Sequence, residues 1–188
     1  MPPRDLEGLP AFDDGAVNVI IETPRNQPFN FKYDGEHGVF RCEKRLPLGL
    51  SFPFDFGFLP STLGGDGDPV DALLLYAEPV PTGSLVLAKL VAVQEAEQTE
   101  KGKPVRNDRI IAVPLDAKSR ERFKPELSFN EELDQAILDF FSVYNKLQGK
   151  GLKALGTFGP ERALQNVKEA MEWRKHGRKA ESKTAGAH

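Results

Sequence analysis

The sequence predicts an α+β fold in which an antiparallel β-barrel is followed by two helices. Short apolar segments rich in β-branched and aromatic residues alternate with turn residues between positions 17 and 113, with no helical segment among them. Such spacing is typical of an antiparallel barrel. After residue 130 the apolar residues recur at helical spacing. A chain of 188 residues can bury one substantial core, so a single domain is expected.

The strand predictions follow the apolar runs and the turn residues between them. The first run is β-branched and ends where Thr23 precedes Pro24. A run of alternating aromatic residues is interrupted by Pro53, and a polar stretch over 95–108 predicts a loop. Alternation places Cys42 in the core. The predicted strands are residues 17–22, 30–33, 39–42, 52–58, 72–76, 85–93 and 109–113.

Two helices are predicted in the last third of the chain. Asn130 is a favourable N-cap for a helix over 131–147, which ends before Gly149. Pro160 opens a second helix that extends to about Lys175. The apolar stripe of the first helix consists of Leu133, Ile137, Phe140, Phe141 and Tyr144, and that of the second of Leu164, Val167 and Met171.

The predicted domain spans residues 1–176. Residues 1–16 carry Pro, Gly and Asp, and we expect them to form an extended arm. Residues 177–188 are small and polar, so we expect a disordered tail.

The overall composition limits the classes of partner. The formal net charge is −3, from 25 basic and 28 acidic residues, whereas binding to nucleic acid through counterion release needs a basic excess. No apolar run approaches the ~20 residues that cross a bilayer, and residues 1–5 lack the apolar segment of a signal peptide. We therefore expect a cytoplasmic protein without nucleic-acid or membrane partners. A single cysteine excludes an internal disulfide and a cysteine-based zinc site.

The most informative local feature is the sequence Asp-Gly-Asp-Pro-Val-Asp at residues 66–71. Its three carboxylates, those of Asp66, Asp68 and Asp71, fall within six residues and repel one another. Hard divalent cations relieve such repulsion, and Mg²⁺ prefers oxygen ligands. A solvated turn accounts for the same six residues equally well, because Asp, Gly and Pro are the usual turn residues. An EF-hand is excluded because its sixth and twelfth positions would hold Asp71 and Ala77.

Several separated segments together resemble the family I soluble inorganic pyrophosphatases. The matching segments are residues 20–24, 32–34, 52–60, 66–71, 110–114 and 140–144, in the order of that family. The resemblance implies a five-stranded barrel of oligonucleotide-binding (OB) topology with flanking helices. It also implies a homo-oligomer, which is often a hexamer in bacterial members.

The resemblance further implies Mg²⁺-dependent hydrolysis of diphosphate to two phosphates by a metal-activated water, with Mn²⁺ as a possible substitute. It assigns Asp68 and Asp71 to orienting the attacking water. The implied metal ligands are Asp66, Asp68, Asp71, Asp108 and Glu22. The implied phosphate-binding residues are Lys32, Lys44, Arg45, Arg109, Tyr144 and Lys146.

The sequence also departs from the family pattern at several of these positions. Asp34 stands where the family has a glutamate, Phe56 where it has a tyrosine, and Lys44 where it has an arginine. The family has two further metal-binding aspartates in the next segment. The first corresponds to Gln98, and the second to Asn107 or Asp108. A family lysine corresponds to Asn145. Three functions therefore stay open: a working pyrophosphatase, a catalytically impaired phosphate- or nucleotide-binding or scaffold protein, and a hydrolase of another phosphoanhydride.

Overall fold

The computed structural model describes residues 5–100, 102–123 and 128–185. The strands are β1 (Phe12–Asp13), β2 (Ala16–Thr23), β3 (Phe29–Asp34), β4 (Val39–Arg45), β5 (Asp55–Phe58), β6 (Asp71–Leu74), β7 (Leu85–Glu100), β8 (Lys103–Arg106), β9 (Arg109–Pro114) and β10 (Leu152–Phe158). The helices are α1 (Glu131–Leu147) and α2 (Pro160–Ala185). Neither helix has an apolar stretch long enough to span a bilayer within the described part of the chain.

Five strands form an OB-like barrel, as the sequence predicts. Strand pairing runs in the order β2, β5, β6, β9 and β7, and β7 pairs again with β2. Every pair in this ring is antiparallel except β6 with β9. The expectation of a purely antiparallel sheet is wrong at this pair, because the long β7–β8 hairpin lies between β6 and β9 and lets the chain return in the same direction.

The core has two layers, and each helix covers one of them. Strand β9 is buried on both faces, which explains its unbroken apolar sequence. Its Ile110 and Ala112 belong to a cluster that includes Val167 of α2. Its Ile111 and Val113 belong to a second cluster that includes Phe141 of α1.

Both helices begin where the sequence predicts, but α2 ends later than predicted. Asn130 caps α1, because its side chain accepts a hydrogen bond from the Leu133 N–H at 2.9 Å. Helix α2 begins at Pro160 and continues to Ala185, ten residues beyond the predicted end near Lys175. The predicted tail of 177–188 is therefore helical through Ala185, and residues 186–188 lie outside the described residues.

The prediction of a loop over 95–108 is wrong. Strand β7 continues to Glu100 and forms a hairpin with β8, in which Glu97 pairs with Arg106. Strand β10, which the sequence analysis missed, pairs with the other edge of β7. Ion pairs stabilise polar side chains in this part of the sheet, such as those of Glu95 with Arg106 and Arg162. Hydrophobic alternation therefore does not mark these strands in the sequence.

Strands β3 and β4 form a separate two-stranded sheet that projects beside the barrel. Every residue of β4 is exposed except Phe40, which is partly buried. Cys42 is exposed as well, so its predicted core position is wrong. The reason is that no second layer covers this face of the hairpin. A link from Thr23, whose hydroxyl accepts the Phe31 N–H at 2.9 Å, holds the hairpin to β2.

Candidate active site

The three clustered carboxylates lie in the connection between β5 and β6, and we call residues 64–71 the acid loop. The Gly64 N–H donates to the Asp68 carbonyl at 2.7 Å, which closes the loop on itself. The Asp68 N–H donates to the Asp66 carboxylate at 3.2 Å. Behind the loop, the buried Thr62 hydroxyl accepts the Val70 N–H at 2.9 Å. These bonds fix the backbone of the loop and the direction of the Asp66 carboxylate.

The acid loop borders a cavity of about 250 Å³. The hairpin, the ends of β7 and β9, and the last turn of α1 form its other walls. Eight residues predicted from the sequence meet in or beside it. They are Lys32, Lys44, Phe56, Asp66, Asp68, Asp71, Arg109 and Tyr144.

Burial makes the acids of this cavity costly to ionise. It raises the pKa of Asp71 to about 7, against the opposing charge of Arg109. It also raises the pKa of Asp66, although the Asp68 N–H, which donates to the Asp66 carboxylate, opposes that rise. A site that concentrates carboxylates in this way favours a bound cation, because a cation stabilises their ionised forms.

Glu22 lies beside the main cavity in a smaller one that it shares with Lys32, Asp68 and Asp71. Burial raises the pKa of Glu22 to about 8, although its carboxylate accepts the Tyr33 N–H at 2.7 Å. Lys32 forms an ion pair with Asp68. Burial lowers the pKa of Lys32, but Asp68 more than offsets this and leaves the pKa raised.

Cationic groups line the cavity together with the carboxylates. Arg109 is only 4% exposed, and its guanidinium carbon lies 4.0 Å from the centre of the Phe141 ring. Within the described chain its Nε has no hydrogen-bond partner. The Lys44 ammonium lies 5.3 Å from the centre of the Tyr144 ring. Because Asp71 and Arg109 are register partners on adjacent strands, the cavity holds both signs of charge side by side, an arrangement suited to a metal–anion complex.

Comparison with known proteins agrees with this geometry. Residues 19–175 match the family model described as inorganic pyrophosphatase. The chain belongs to the inorganic pyrophosphatase family. It is 35% identical over 160 residues to the enzyme of Aeropyrum pernix, with 83% of this chain and 88% of that protein covered. The enzyme of Thermus thermophilus is 30% identical over 172 residues, with 89% and 96% covered.

A solved pyrophosphatase structure confirms the fold. The crystal structure of the inorganic pyrophosphatase from Thermus thermophilus matches with a TM-score of 0.78 and 28% identity. The match covers 92% of this chain and 99% of that one. The family resemblance and the OB-like barrel predicted from the sequence are thus confirmed, and pyrophosphatase membership implies a divalent metal cofactor.

Besides Glu22, four residues that the pyrophosphatase pattern assigns to the site lie outside the main cavity. Asp34 is at the hairpin end, where hydrogen bonds from His37 and Arg41 lower its pKa to about 2. Arg45 and Lys146 are exposed and do not line the cavity. Each follows in sequence a residue that does line it, Lys44 and Asn145 respectively, and its side chain points elsewhere.

The fourth of these residues is Asp108, the predicted metal ligand. One of its carboxylate oxygens accepts the Ala96 N–H at 3.1 Å and a bond from Arg106. The other accepts from the Asn166 side chain at 2.7 Å. Asp108 therefore faces α2 and a neighbouring cavity of about 200 Å³, and Asn107 lines the main cavity in its place.

Several cavity residues escaped the sequence analysis as site residues. Asn30 could have been found from strand alternation, since it shares a face of β3 with Lys32. Gln148 and Lys150 follow α1 and carry no motif signal. The missed residues are Asn30, Glu43, Gln148 and Lys150. Gln98 and Asn145, flagged only as departures from the family pattern, also line the cavity.

Proposed function

We propose that this chain hydrolyses inorganic diphosphate to two phosphates and depends on Mg²⁺, with Mn²⁺ as a substitute. The observation that carries the proposal is the shared cavity, in which Asp66, Asp68 and Asp71 lie with the buried Arg109. Diphosphate is a compact, strongly anionic ligand, and its complex with a divalent cation carries both signs of charge, which these carboxylates and this guanidinium complement.

The residues present fit a magnesium site. All the candidate ligands are carboxylates, which are the ligands that Mg²⁺ prefers. Asp66, Asp68 and Asp71 would hold the metal, with Glu22 behind them. The raised pKa values of Glu22 and Asp71 show how strongly burial disfavours their charge without a cation. When bound, the metal supplies neutralisation of phosphate charge and a lowered pKa for a coordinated water.

The chain's own residues would then position the reactants. Arg109 and Lys44 bind phosphate oxygens, and the hydroxyl of Tyr144 donates a further hydrogen bond. Asp68 and Asp71 orient the attacking water and accept its proton. The water oxygen forms a bond to one phosphorus atom while the bond from that phosphorus to the bridging oxygen breaks. The electron pair of the broken bond stays on the bridging oxygen, which leaves with the second phosphate. Phe56, without a hydroxyl, provides an apolar wall.

The test is phosphate release from diphosphate in millimolar Mg²⁺. Asp68→Asn is expected to lower turnover by about 10²–10³-fold, because it removes a charge that acts directly on the reactants. Asp139→Asn is the matched control, since Asp139 is exposed on α1 and does not line the cavity. Absence of turnover in the unaltered protein with Mg²⁺, Mn²⁺ and Co²⁺ would refute the proposal.

The second candidate is a catalytically impaired relative that binds phosphate or a nucleotide. Neutral Gln98 and Asn107 on the cavity wall favour it, because fewer carboxylates hold fewer metal ions. The number of metal ions bound per chain, measured by calorimetry, separates the enzyme from the impaired relative. One bound ion without turnover would indicate a phosphate- or nucleotide-binding protein. A panel of nucleoside diphosphates and triphosphates tests a shifted phosphoanhydride substrate.

We also propose a cytoplasmic homo-oligomer, a hexamer by analogy with bacterial family members. Sedimentation equilibrium gives the assembly mass directly. A monomer of 20.8 kDa across micromolar concentrations would contradict the oligomer without affecting the proposed reaction.

A further inference from the structure

The three residues after α1, which we call the exit loop (148–150), form a wall of the main cavity. Its backbone is tied to the last turn of the helix. The Asn145 carbonyl accepts both the Gln148 N–H and the Lys150 N–H at 2.9 Å. Gly149 between them has φ +73°, a left-handed conformation that favours glycine. The loop therefore holds Gln148 and Lys150 in fixed positions on the cavity wall.

Gln148 uses both ends of its amide group. Its nitrogen donates to the Tyr144 carbonyl at 3.1 Å, and its oxygen accepts from the Lys44 ammonium. Lys44 lies on an exposed strand of the hairpin, where a lysine side chain is otherwise free to rotate. The bond to Gln148 and the ring of Tyr144 hold its charge at the cavity edge.

The neighbouring residues at this end of α1 do not supply a cation to the cavity. Asn145 is buried, and its amide donates to the Phe141 carbonyl at 2.9 Å. Lys146 is exposed and outside the cavity. Lys150 is partly buried and lines the cavity with Lys44 and Arg109. The exit loop thus adds the charge of Lys150 to those of Lys44 and Arg109 in the cavity.

We propose that Lys150 binds a phosphate group of the substrate directly, and that Gln148 is a positioning residue that holds Lys44 for the same purpose. The inference rests on the proposed function, because it names the residues that bind the anion in that reaction. It replaces Lys146, which the sequence assigned to this role, with a residue four positions later.

Steady-state kinetics with diphosphate and Mg²⁺ test the role of Lys150. Lys150→Ala is expected to raise KM about tenfold with a smaller change in kcat, because a charge-assisted hydrogen bond is lost from both ground and transition states. Lys150→Arg keeps the charge and is expected to restore most of the affinity. Lys153→Ala is the control, since it removes the same charge from a side chain that is 73% exposed. Equal KM values for the two alanine variants would overturn the proposal.

Calorimetric titration with methylenediphosphonate and Mg²⁺ separates this inference from the proposed reaction. If the unaltered protein binds this non-hydrolysable analogue without hydrolysing diphosphate, and Lys150→Ala binds it about tenfold more weakly, the reaction fails but the binding role stands. If diphosphate is hydrolysed and Lys150→Ala binds the analogue as tightly as Lys153→Ala does, the reaction stands and the binding role fails.

Two variants of Gln148 test its positioning role. Gln148→Ala frees Lys44 and is expected to raise KM by about threefold to tenfold, in line with one hydrogen bond. Gln148→Glu keeps an acceptor for Lys44 and is expected to recover part of that loss. Thermal unfolding measured in parallel identifies a merely structural role. A lowered Tm with unchanged KM in Gln148→Ala would contradict the positioning role.

Discussion

The acid loop and the sheet wall beside it line one cavity but are built in different ways. The acid loop brings Asp66, Asp68 and Asp71 together within six residues, and local hydrogen bonds fix its backbone and the Asp66 carboxylate. The sheet wall combines Gln98 of β7 with Asn107 and with Arg109, the first residue of β9, which only strand pairing brings together. The acid loop is anionic, and the sheet wall is neutral or cationic. The two units meet where Asp71 pairs in register with Arg109, but they come from separate segments, so their residues can be substituted one at a time.

The largest expected effect on activity comes from neutralising one carboxylate of the acid loop. Asp71→Asn removes a carboxylate from the metal side, and diphosphate hydrolysis is expected to fall by about 10²–10³-fold. Gln98→Ala on the sheet wall removes a neutral group, and a loss of under about tenfold is expected because no net charge changes. Initial rates at saturating Mg²⁺ compare the two. Losses of similar size would mean that Gln98 contributes as much to the reaction as the acids do.

The next largest effect is expected from disturbing the contact between Gly65 of the acid loop and Arg106 of β8. A Cβ atom on Gly65 would lie 2.8 Å from the Arg106 Cβ and 2.9 Å from the Arg106 carbonyl oxygen, so the acid loop contacts β8 through a bare glycine. Gly65→Ala is expected to destabilise the protein by ~1–3 kcal/mol and to reduce activity, because the backbone must shift. Urea unfolding and phosphate release measure the two effects.

Gly159→Ala is the matched control for that substitution. Its Cβ would meet only a Glu161 carboxylate oxygen at 3.6 Å, an ordinary contact. A change in stability equal to that of Gly65→Ala would show that the close approach to Arg106 is not the cause.

A smaller effect comes from adding an acid to the sheet wall. Asn107→Asp places a carboxylate in the cavity, and we expect Mn²⁺ binding to tighten by about tenfold through the added attraction. Asp108→Asn is the comparison, because Asp108 is bonded to Arg106 and Asn166. The Mn²⁺ affinity of Asp108→Asn is expected to stay within about twofold of the affinity of the unaltered protein. Calorimetry gives both values, and weaker binding by Asp108→Asn would make Asp108 a metal ligand after all.

The smallest expected effect concerns the ion pairs behind the sheet wall. Burial raises the pKa of Glu95, but hydrogen bonds from Arg162 and Arg106 more than offset this, so the pKa is lowered. With a folded pKa below the unfolded value of about 4.3, the stabilisation is fully present above that value. It is lost as the pH falls through the folded pKa. Unfolding free energies of the unaltered protein and Glu95→Gln are therefore expected to converge as the pH falls below about 4.3. Parallel curves would exclude this contribution.

The two walls also explain how far the sequence could predict this site. Asp66, Asp68 and Asp71 were predictable because one turn holds all three, and α1 was predictable from its cap and apolar stripe. Asp108 and Asn107 are adjacent in sequence, and only the contacts of Asp108 with Arg106 and Asn166 decide which of them faces the cavity. Lys150 depends on a helix end folding back on itself. The first outcome depends on Asn166, which is distant in sequence. The second depends on which side chains share the cavity with Lys150, among them Lys44 and Arg109 from distant strands, so local preference predicts neither.

The acid loop separates the main cavity from the one beside α2, and Asp66 and Asp71 line both. The loop therefore has a cavity on each of its faces. A ligand in the main cavity displaces water from one side of these carboxylates only, so the rear cavity keeps a route for solvent screening of their charge. Filling the rear space with a larger side chain would lower the local dielectric and strengthen the field that these carboxylates exert in front. Substitutions in the rear cavity are therefore expected to alter the front one without touching its ligand.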